Sequence, residues 1–436
     1  MDSVKNKVLF ILLDAFRHDY INSVDTPFLY TKTHKGIYAQ KLKSVAGFTQ
    51  RTAIYTGTIG AESGMFTMYT FDAENSPFRF LRDDPRFKKF SLEKHWWDEV
   101  LSSRLMERVR NVLDHRLEQK KRTYLNWIKK EVRNYTYHAP LAHIPLELLP
   151  EIGVSEDMRP IYLPGAFKEE SIFDVFVRHN IEYEYLMYPV VDGDDSTTLE
   201  AFINKKDSDA KIILAQFSDS DVKIHHCGPS SPTRHEVTGE IDRKLREIAK
   251  HYDDDLSTWI VIGDHGMTDV IEELDVPALL APLEKRMKVQ MGRDYVFFLD
   301  STMARFKWIT KAGRAYLSEV TQLPILREKG RFIDEQIAHE HSIPINDRRY
   351  GDLIWWAHSG ILLFPDYFHD RYTHNKGMHG YDSNHDDMKG FFLAFGSGIT
   401  HRRLAQISLI DVCPTLCDLL EISYPQQNMG VSIFEK

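Results

Sequence analysis

Cysteine is scarce in this chain of 436 residues, and long apolar runs are missing. The three cysteines, Cys227, Cys413 and Cys417, form no obvious disulfide framework, which favours a reducing compartment. The N-terminal apolar run covers only residues 8–13 and ends at an aspartate, as expected of a strand and not of a signal peptide. No run approaches the roughly 18 apolar residues of a membrane span. We therefore predict a soluble, cytoplasmic protein.

The chain also has no large excess of positive or negative charge. The net charge of −9 is mild for this length and argues against nucleic acid as the main partner. The hydrophobic content of 42% and the charged content of 27% are ordinary for a globular protein. The length predicts two domains, or one large domain with insertions, and the sequence leaves the oligomeric state open.

The chain is organised around residues 259–267, WIVIGDHGM. The apolar residues 259–262 predict a buried strand, and Asp264 and His265 follow directly after Gly263. Ligands of open α/β sheets bind beyond the carboxyl ends of the strands. A carboxylate and an imidazole there are both suitable zinc ligands. The alternative for this tripeptide alone is a polar pair in a capped turn.

Two other predicted strands also deliver acidic residues. Residues 8–13 end at Asp14, which could equally cap a following helix. Residues 212–217 lead to Asp221 and His225, whose spacing of four places both side chains on one face of a helical turn. The adjacent His226 and Cys227 are interpreted as bystanders, since no second thiol lies nearby.

A candidate nucleophile lies at the start of a short predicted helix. Residues 50–56 are typical of a helix that ends at Gly57, with Thr49 at the N-cap position. A hydroxyl there lies in the positive field of the helix N-terminus, where a phosphate also binds. Arg51 is positioned to contact an anionic oxygen of the substrate. A plain capping threonine and a solvated arginine are the alternatives.

The last candidate ligand is His379, in a loop before the apolar residues 391–395. His374 and His385 lie nearby, and a bystander role is the default for any one of the three. With His379 included, the candidates form two sets of three oxygen or nitrogen donors. A two-metal site holds two zinc-like ions about 3.5–4 Å apart, and each ion needs one such set of three donors.

The predicted elements indicate an α/β fold with a mostly parallel sheet flanked by helices. Residues 1–75, 160–280 and 370–436 are predicted to form the metal-binding catalytic core. Residues 76–159, rich in lysine and arginine, predict a helical insertion with a basic face. Such a face is usually solvated, and contact with a membrane surface is a weaker alternative. Residues 281–369 predict a small α+β cap over the cleft, with strands at residues 295–299 and 353–356 around a helix at residues 313–321.

The same segments resemble a known family, the type I phosphodiesterase/nucleotide pyrophosphatases of the alkaline phosphatase superfamily. DAFRHDY at residues 14–20 resembles the family's DGFRADY, and residues 221–232 resemble its D-x-x-x-H-x-x-G-P-x-S-P element. GDHGM at 263–267 and HGYD at 379–382 resemble its Asp-His and late histidine elements, and residues 411–415 resemble its closing helix. The segments follow the family order, and the insertion lies outside the match.

The resemblance implies an alkaline-phosphatase-like fold and two divalent metal ions, zinc or else manganese. It assigns one ion to Asp221, His225 and His379, and the other to Asp14, Asp264 and His265. It also implies in-line attack of a metal-activated threonine hydroxyl on the phosphorus of a small-molecule phosphodiester or nucleotide-type pyrophosphate. The alternatives are a phosphomonoesterase or a phospho- or sulfo-group transferase of the superfamily, and an inactive, metal-stabilised binding protein.

The chain departs from the family at the nucleophile. The family's threonine lies ten residues before the glycine of a Thr-Gly pair, and counting back from Gly57 gives Gly47, which has no hydroxyl. Thr49 carries the nearest hydroxyl, so we predict Thr49 as the nucleophile. Ser44 and a metal-bound hydroxide are the alternatives.

Overall fold

The computed structural model describes residues 7–87, 123, 125–128, 141, 143–155, 159–369 and 373–434. The strands, in chain order, are β1 (Lys7–Leu13), β2 (Ile37–Lys43), β3 (Tyr69–Thr70), β4 (Gly153–Val154), β5 (Tyr183–Leu186), β6 (Ile212–Phe217), β7 (Ser257–Gly263), β8 (Thr268–Asp269), β9 (Glu272–Leu274), β10 (Tyr295–Leu299), β11 (Met303–Trp308), β12 (Gly330–Phe332), β13 (Leu353–Ala357), β14 (Ile361–Leu363), β15 (Gly377–Met378), β16 (Gly390–Gly396) and β17 (Arg402–Ser408).

Helices connect and cover these strands. The α-helices are Pro27–Thr33, Gln50–Thr56, Gly60–Ser63, Ile172–Arg178, Asp195–Asn204, Asp219–Cys227, Pro232–Ile248, Val276–Met287, Lys311–Val320, Pro324–Lys329, Glu335–His341 and Val412–Leu419. Short 3-10 helices are His18–Tyr20, Arg79–Asp83, Leu146–Glu151, Arg348–Tyr350, Asp386–Met388 and Leu409–Asp411.

The central sheet has seven strands in the order β17-β2-β16-β7-β1-β6-β5. Strand β1 pairs in parallel with β6 on one side and with β7 on the other, and β16 is antiparallel to its neighbours β7 and β2. The predicted α/β fold with a mostly parallel sheet is thereby confirmed. The apolar runs of β1, β6 and β7 follow from this position, because strands covered on both faces bury nearly every side chain.

Two apolar layers cover the two faces of this sheet. Successive side chains of β1 alternate between them: Val8, Phe10 and Leu12 belong to one cluster, and Leu9, Ile11 and Leu13 to the other. Each fully buried side chain of this kind stabilises the fold by about 1.5–3 kcal/mol. The central strands are thereby held in fixed register, so the residues that follow them have fixed positions.

A second, antiparallel sheet lies in the segment predicted to be an α+β cap. Its strand order is β10-β11-β13-β12. The predicted strands at residues 295–299 and 353–356 are confirmed as β10 and β13, and the predicted helix near residues 313–321 is Lys311–Val320. Strands β11 and β12 were not predicted, because their sequences mix charged and apolar residues without a clean alternation.

Most of the predicted helical insertion at residues 76–159 lies outside the described residues. Its described parts include two 3-10 helices and the buried residues Leu125 and Ile128, which pack in one apolar cluster with Phe298 of the second sheet. The division into three domains stays a prediction. In the described part of the chain, each helix is too short or too polar to cross a membrane.

Candidate metal centre

Three parallel strands end at the same level and fix the first half of the site. In the register of the sheet, Leu13 pairs with Phe217 on β6 and with Gly263 on β7. The residues that follow these strands, Asp14, Ser218 and Asp264, therefore leave one edge of the sheet side by side. The register of the sheet therefore brings the residues that follow these three strands together at the carboxyl ends of the strands.

The first predicted set, Asp14, Asp264 and His265, forms a compact group. Its donor atoms lie within 4.8 Å of one another. The Nε2 atom of His265 is 3.3 Å from Asp14 Oδ1 and 3.8 Å from Asp264 Oδ2. The other oxygen of Asp264 accepts hydrogen bonds from the backbone N–H groups of Ala15 and His265, at 3.2 and 3.0 Å. Asp264 thus holds the ends of β1 and β7 together while one oxygen faces the site.

The second predicted set, Asp221, His225 and His379, joins a helix to a loop. Helix Asp219–Cys227 places Asp221 and His225 one turn apart, and His225 Nε2 lies 3.1 Å from Asp221 Oδ1. His379 follows β15, and its Nε2 atom lies 3.5 Å from the same oxygen. The rings of His265 and His379 have centroids 4.2 Å apart, so the two sets adjoin.

The hydrogen bonds of the histidines make the two sets suitable for cations. Nδ1 of His225 is 2.8 Å from the carbonyl oxygen of Gly377, and Nδ1 of His265 is 2.9 Å from that of Gly266. A carbonyl only accepts, so Nδ1 carries the hydrogen and Nε2 offers its lone pair when the ring is neutral. A lone pair that faces a carboxylate at 3.1 Å is repelled unless a proton or a cation lies between them. The residues therefore fit two divalent ions.

Protons compensate these charges when no cation does. Burial and the neighbouring Asp14 carboxylate raise the pKa of Asp264 to about 7. Burial alone would lower the pKa of His265, but the carboxylates of Asp264 and Asp14 raise it to about 10. Burial would raise the pKa of Asp221, and the neighbouring His225 and His379 rings lower it instead. A bound cation replaces such protons, so metal affinity increases with pH.

Both sets line one cavity of about 470 Å³, a volume typical of sites for small organic ligands. Phe48, Met68 and Phe368 supply apolar wall beside the ligand sets. Gln50 and Arg51, at the start of helix Gln50–Thr56, also line the cavity, so Arg51 lies where the sequence predicts a substrate contact. The cavity can thus hold an anionic centre with an organic substituent.

Thr49 is the predicted site residue that the structure does not bring into the cavity. Its side chain is buried, and its hydroxyl donates to the carbonyl oxygen of Met65 at 3.2 Å. Its neighbours Phe48 and Gln50 line the cavity, so the backbone passes beside it. Ser44 is also buried, and its hydroxyl donates to Met388 O at 3.3 Å. The assignment of the nucleophile stays a prediction.

Three histidines and one cysteine that were interpreted as bystanders from the sequence lie outside both ligand sets. His226 is exposed on the outer side of its helix. His374 pairs with Glu273 at 2.7 Å, and His385 precedes the 3-10 helix Asp386–Met388. Cys227 is half-buried and its Sγ lies 3.5 Å from Gly228 O, away from both ligand sets.

Comparison with known proteins places this site in a family. The sequence profile of the type I phosphodiesterase / nucleotide pyrophosphatase family matches residues 8–382. The chain belongs to this family. Its members are phosphodiesterases and nucleotide pyrophosphatases and are metal dependent, so the protein is an enzyme that hydrolyses phosphoric esters, with two candidate groups of metal ligands.

Relatives in the family share the whole length of this enzyme at low identity. Human ectonucleotide pyrophosphatase/phosphodiesterase family member 5 is 22% identical over 97% of this chain and 76% of its own length. Human family member 7 is 24% identical over 98% of this chain and 82% of its own. Solved structures of the human and murine member 5 share the fold, with TM-scores of 0.63 and 0.65, identities of 18% and 16%, and coverage of 99% of this chain and 98% of each of theirs.

Several residues that line or support the enzyme's cavity were not predicted from the sequence. Gln216 donates to Asp14 Oδ2 at 2.7 Å and to Ser218 Oγ at 3.1 Å, so it orients a predicted ligand. Asp195 is buried at the cavity wall and accepts backbone N–H groups at the start of the helix that carries Asp221 and His225. His369 lines the cavity and pairs with Asp366. For the last pair a signal existed, the Asp-x-x-His spacing, whereas nothing in the sequence marks Gln216 or Asp195.

Proposed function

We propose that this enzyme is a two-metal phosphodiesterase or nucleotide pyrophosphatase that attacks phosphorus with the hydroxyl of Thr49. The observation that carries the proposal is the pair of adjoining donor sets, in which backbone carbonyls commit Nδ1 of His225 and His265 and leave Nε2 for a metal. Zinc suits these carboxylate and imidazole donors, and manganese is the alternative. Bound ions would supply Lewis acidity, which activates the hydroxyl and neutralises the phosphoryl charge.

The attack requires one local change in the chain. The Thr49 hydroxyl must leave the carbonyl oxygen of Met65 and turn toward the cavity between Phe48 and Gln50. A neutral hydrogen bond of this kind contributes only about 0.5–1.5 kcal/mol, which substrate contacts can offset. The oxygen then bonds to phosphorus and gives its proton to water, and the ester oxygen leaves with its electron pair and takes up a proton. Water then hydrolyses the phosphothreonine, and the Thr49 oxygen regains its proton. Arg51 contacts a non-bridging phosphoryl oxygen.

The relatives support the substrate class and the nucleophile type. The human relatives are named as nucleotide pyrophosphatases/phosphodiesterases. A solved structure of murine family member 5 is described as inactive after a Thr-to-Ala substitution and in complex with AMP, with a TM-score of 0.63 and 16% identity. These names support a threonine-dependent reaction on a small nucleotide or similar phosphodiester. The position of Gly47 makes Thr49 the residue to test in this chain.

The proposal is tested with two esters of the same leaving group. Enzyme reconstituted with zinc or with manganese is assayed on bis(p-nitrophenyl) phosphate and on p-nitrophenyl phosphate. We expect faster cleavage of the diester. Faster cleavage of the monoester would reassign the enzyme as a phosphomonoesterase, and no cleavage of either ester with two metals bound would favour a binding protein.

The metal assignment has its own variants. His379→Ala removes a ligand and should abolish both bound metal at that set and diester cleavage, whereas His374→Ala, which removes an exposed histidine paired with Glu273, should change neither. Metal content is measured by mass spectrometry on the same samples as the rate. Retained metal stoichiometry and rate in His379→Ala would refute the assignment of the site.

A further inference from the structure

A histidine outside the two ligand sets also lines the cavity, and it is paired with a buried carboxylate. Nδ1 of His369 lies 2.7 Å from Asp366 Oδ2. The other oxygen of Asp366 accepts the backbone N–H groups of Phe368 and His369, at 3.0 and 2.8 Å. The Asp366 side chain is fully buried, whereas 23% of the His369 side chain is exposed. The carboxylate is thus fixed by the backbone, and it fixes the ring in turn.

The hydrogen bonds of this pair suit proton transfer. One oxygen of Asp366 accepts two backbone N–H groups, and the other faces Nδ1 of His369 at 2.7 Å as an acceptor. An ionised acceptor holds the hydrogen on Nδ1 of His369 and stabilises the ring when it is protonated. Nε2 is then the ring nitrogen left for a ligand. This is the arrangement of a histidine that exchanges protons during a reaction.

The pair lies next to one ligand set. His369 lines the same cavity as all six candidate ligands, and its ring centroid is 6.1 Å from that of His225. Phe368, the preceding residue, also lines the cavity and stacks on Phe48 with centroids 6.4 Å apart. A phosphoryl group between the two sets would therefore have His369 beside its ester oxygens on the His225 side.

We propose that His369, oriented by Asp366, is a catalytic acid that protonates the leaving oxygen of the phosphodiester. The inference rests on the proposed function, in which Thr49 supplies the attacking oxygen, so the oxygen served by His369 is the one that departs. As the bond from phosphorus to this oxygen breaks, its electron pair takes the proton from Nε2. The proton of the Thr49 hydroxyl passes to bulk water as its oxygen bonds to phosphorus. When water hydrolyses the phosphothreonine, neutral His369 accepts a proton from that water and the released Thr49 oxygen regains one from bulk water, so both residues return to their starting states.

The consequence is a selective dependence on the leaving group. A p-nitrophenolate leaves as a stable anion and needs little protonation, whereas an unsubstituted phenolate is more basic and depends on a proton donor. General acid catalysis typically contributes about 10²–10⁴-fold. Removal of the acid should therefore slow esters of basic alcohols far more than nitrophenyl esters.

The experiment compares p-nitrophenyl methyl phosphate with phenyl methyl phosphate in the metal-loaded enzyme. For His369→Gln, which keeps a polar side chain but transfers no proton, we expect kcat/KM on the phenyl ester to fall by about 10²-fold and a much smaller loss on the nitrophenyl ester. Asp366→Asn still accepts the two backbone N–H groups through one oxygen but cannot accept from Nδ1, so it should show the same selectivity. His374→Gln is the matched control and should change neither rate.

Two further readouts separate a catalytic from a structural role. Metal content and the affinity for methyl phosphate, measured by mass spectrometry and calorimetry, should be unchanged in His369→Gln. Equal losses on both esters, or loss of metal, would overturn the role of His369 while the proposed function stands. A wild-type enzyme that cleaves neither ester would overturn the proposed function and this inference with it.

Discussion

At the scale of single residues, the proposed nucleophile depends on Gly47 and Thr49. Gly47 has φ +89°, and a Cβ atom there would lie 2.0 Å from the carbonyl oxygen of Phe66. A threonine at this position therefore does not fit the present backbone. Two residues later the chain has a hydroxyl, which donates to Met65 O beside the cavity. The backbone conformation before helix Gln50–Thr56 therefore excludes a threonine at position 47, and the nearest hydroxyl along the chain is that of Thr49.

The nucleophile assignment gives a first prediction. Thr49→Ala should lower kcat on bis(p-nitrophenyl) phosphate by at least about 10³-fold, because no other group replaces the attacking oxygen. Thr49→Ser should keep measurable activity. Ser44→Ala serves as the control, since the Ser44 hydroxyl donates to Met388 O and does not line the cavity. Full activity in Thr49→Ala, with loss in Ser44→Ala or with neither affected, would transfer the role to Ser44 or to water.

The backbone at Gly47 gives a second prediction. Gly47→Ala should lower the free energy of unfolding by about 1–3 kcal/mol, since it combines a left-handed conformation with a clash against the Phe66 carbonyl. Gly292→Ala is a matched control, because Gly292 has φ +86° with no atom within 4 Å of its Cβ position. Urea denaturation of both variants isolates the clash. Equal losses would show that only the backbone angle matters at position 47.

At the scale of elements, helix Asp219–Cys227, which carries the candidate ligands Asp221 and His225, is anchored by a residue outside it. The buried carboxylate of Asp195 accepts the backbone N–H groups of Ser218 and Asp219, at 2.7 and 3.2 Å, where this helix begins. Burial and the neighbouring Asp219 carboxylate raise the pKa of Asp195 to about 7, so its charge complements the helix N-terminus above that pH. Asp195 itself starts helix Asp195–Asn204, whose N-cap is Asp194. One helix therefore holds the start of another and with it the position of Asp221.

This contact gives a third prediction. Asp195→Ala should cost about 1–2 kcal/mol of stability and weaken metal binding at the Asp221 set by about tenfold, because the helix loses its anchor. Asp194→Ala also removes a helix cap, but Asp194 is exposed and accepts from Ser196 and Thr197 of its own helix, so this change should leave the metal affinity unchanged. Metal titration by calorimetry measures the difference. Unchanged metal affinity in Asp195→Ala would contradict the anchoring role.

Elements were predictable from sequence to different degrees. The buried strands β1, β6 and β7 and helix Gln50–Thr56 have apolar runs or terminal residues that mark them locally. Strands β2 and β17 were missed. The sequence IYAQKLK of β2 is half polar, and β17 lies at the sheet edge with exposed side chains. Such strands form because they pair with neighbouring strands, and the local sequence does not show which segments will pair.

At the scale of the whole molecule, the charges of the metal centre couple metal binding to folding. The pKa of His265 is about 10 in the folded, metal-free chain, above its ordinary value of 6.5. The pKa of the half-buried His225 is also raised: loss of solvent would lower it, but the neighbouring Asp221 carboxylate outweighs that effect. Between these values the native state binds protons that the unfolded state has released, so stability falls as pH increases.

The fourth prediction follows from that sign. The free energy of unfolding of the metal-free enzyme should decrease from pH 7 to pH 9 by up to about 1.4 kcal/mol per pH unit for each proton, and the melting temperature should fall with it. Saturating zinc should remove this decrease, because the cation takes the place of the protons. The measurement is thermal unfolding with and without a chelator. Parallel profiles with and without metal would show that the donor sets bind no cation.

The sequence by itself determined the family, the mostly parallel α/β sheet and the six candidate ligands. These depend on short segments, because each ligand follows a buried strand or shares a helical turn, and such local patterns survive without tertiary information. The cytoplasmic location and the division into three domains stay predictions. Only the tertiary structure decided which side chains share the cavity. The Thr49 hydroxyl points to Met65 O, whereas Asp195 and His369 line the cavity, because packing between distant segments sets these orientations.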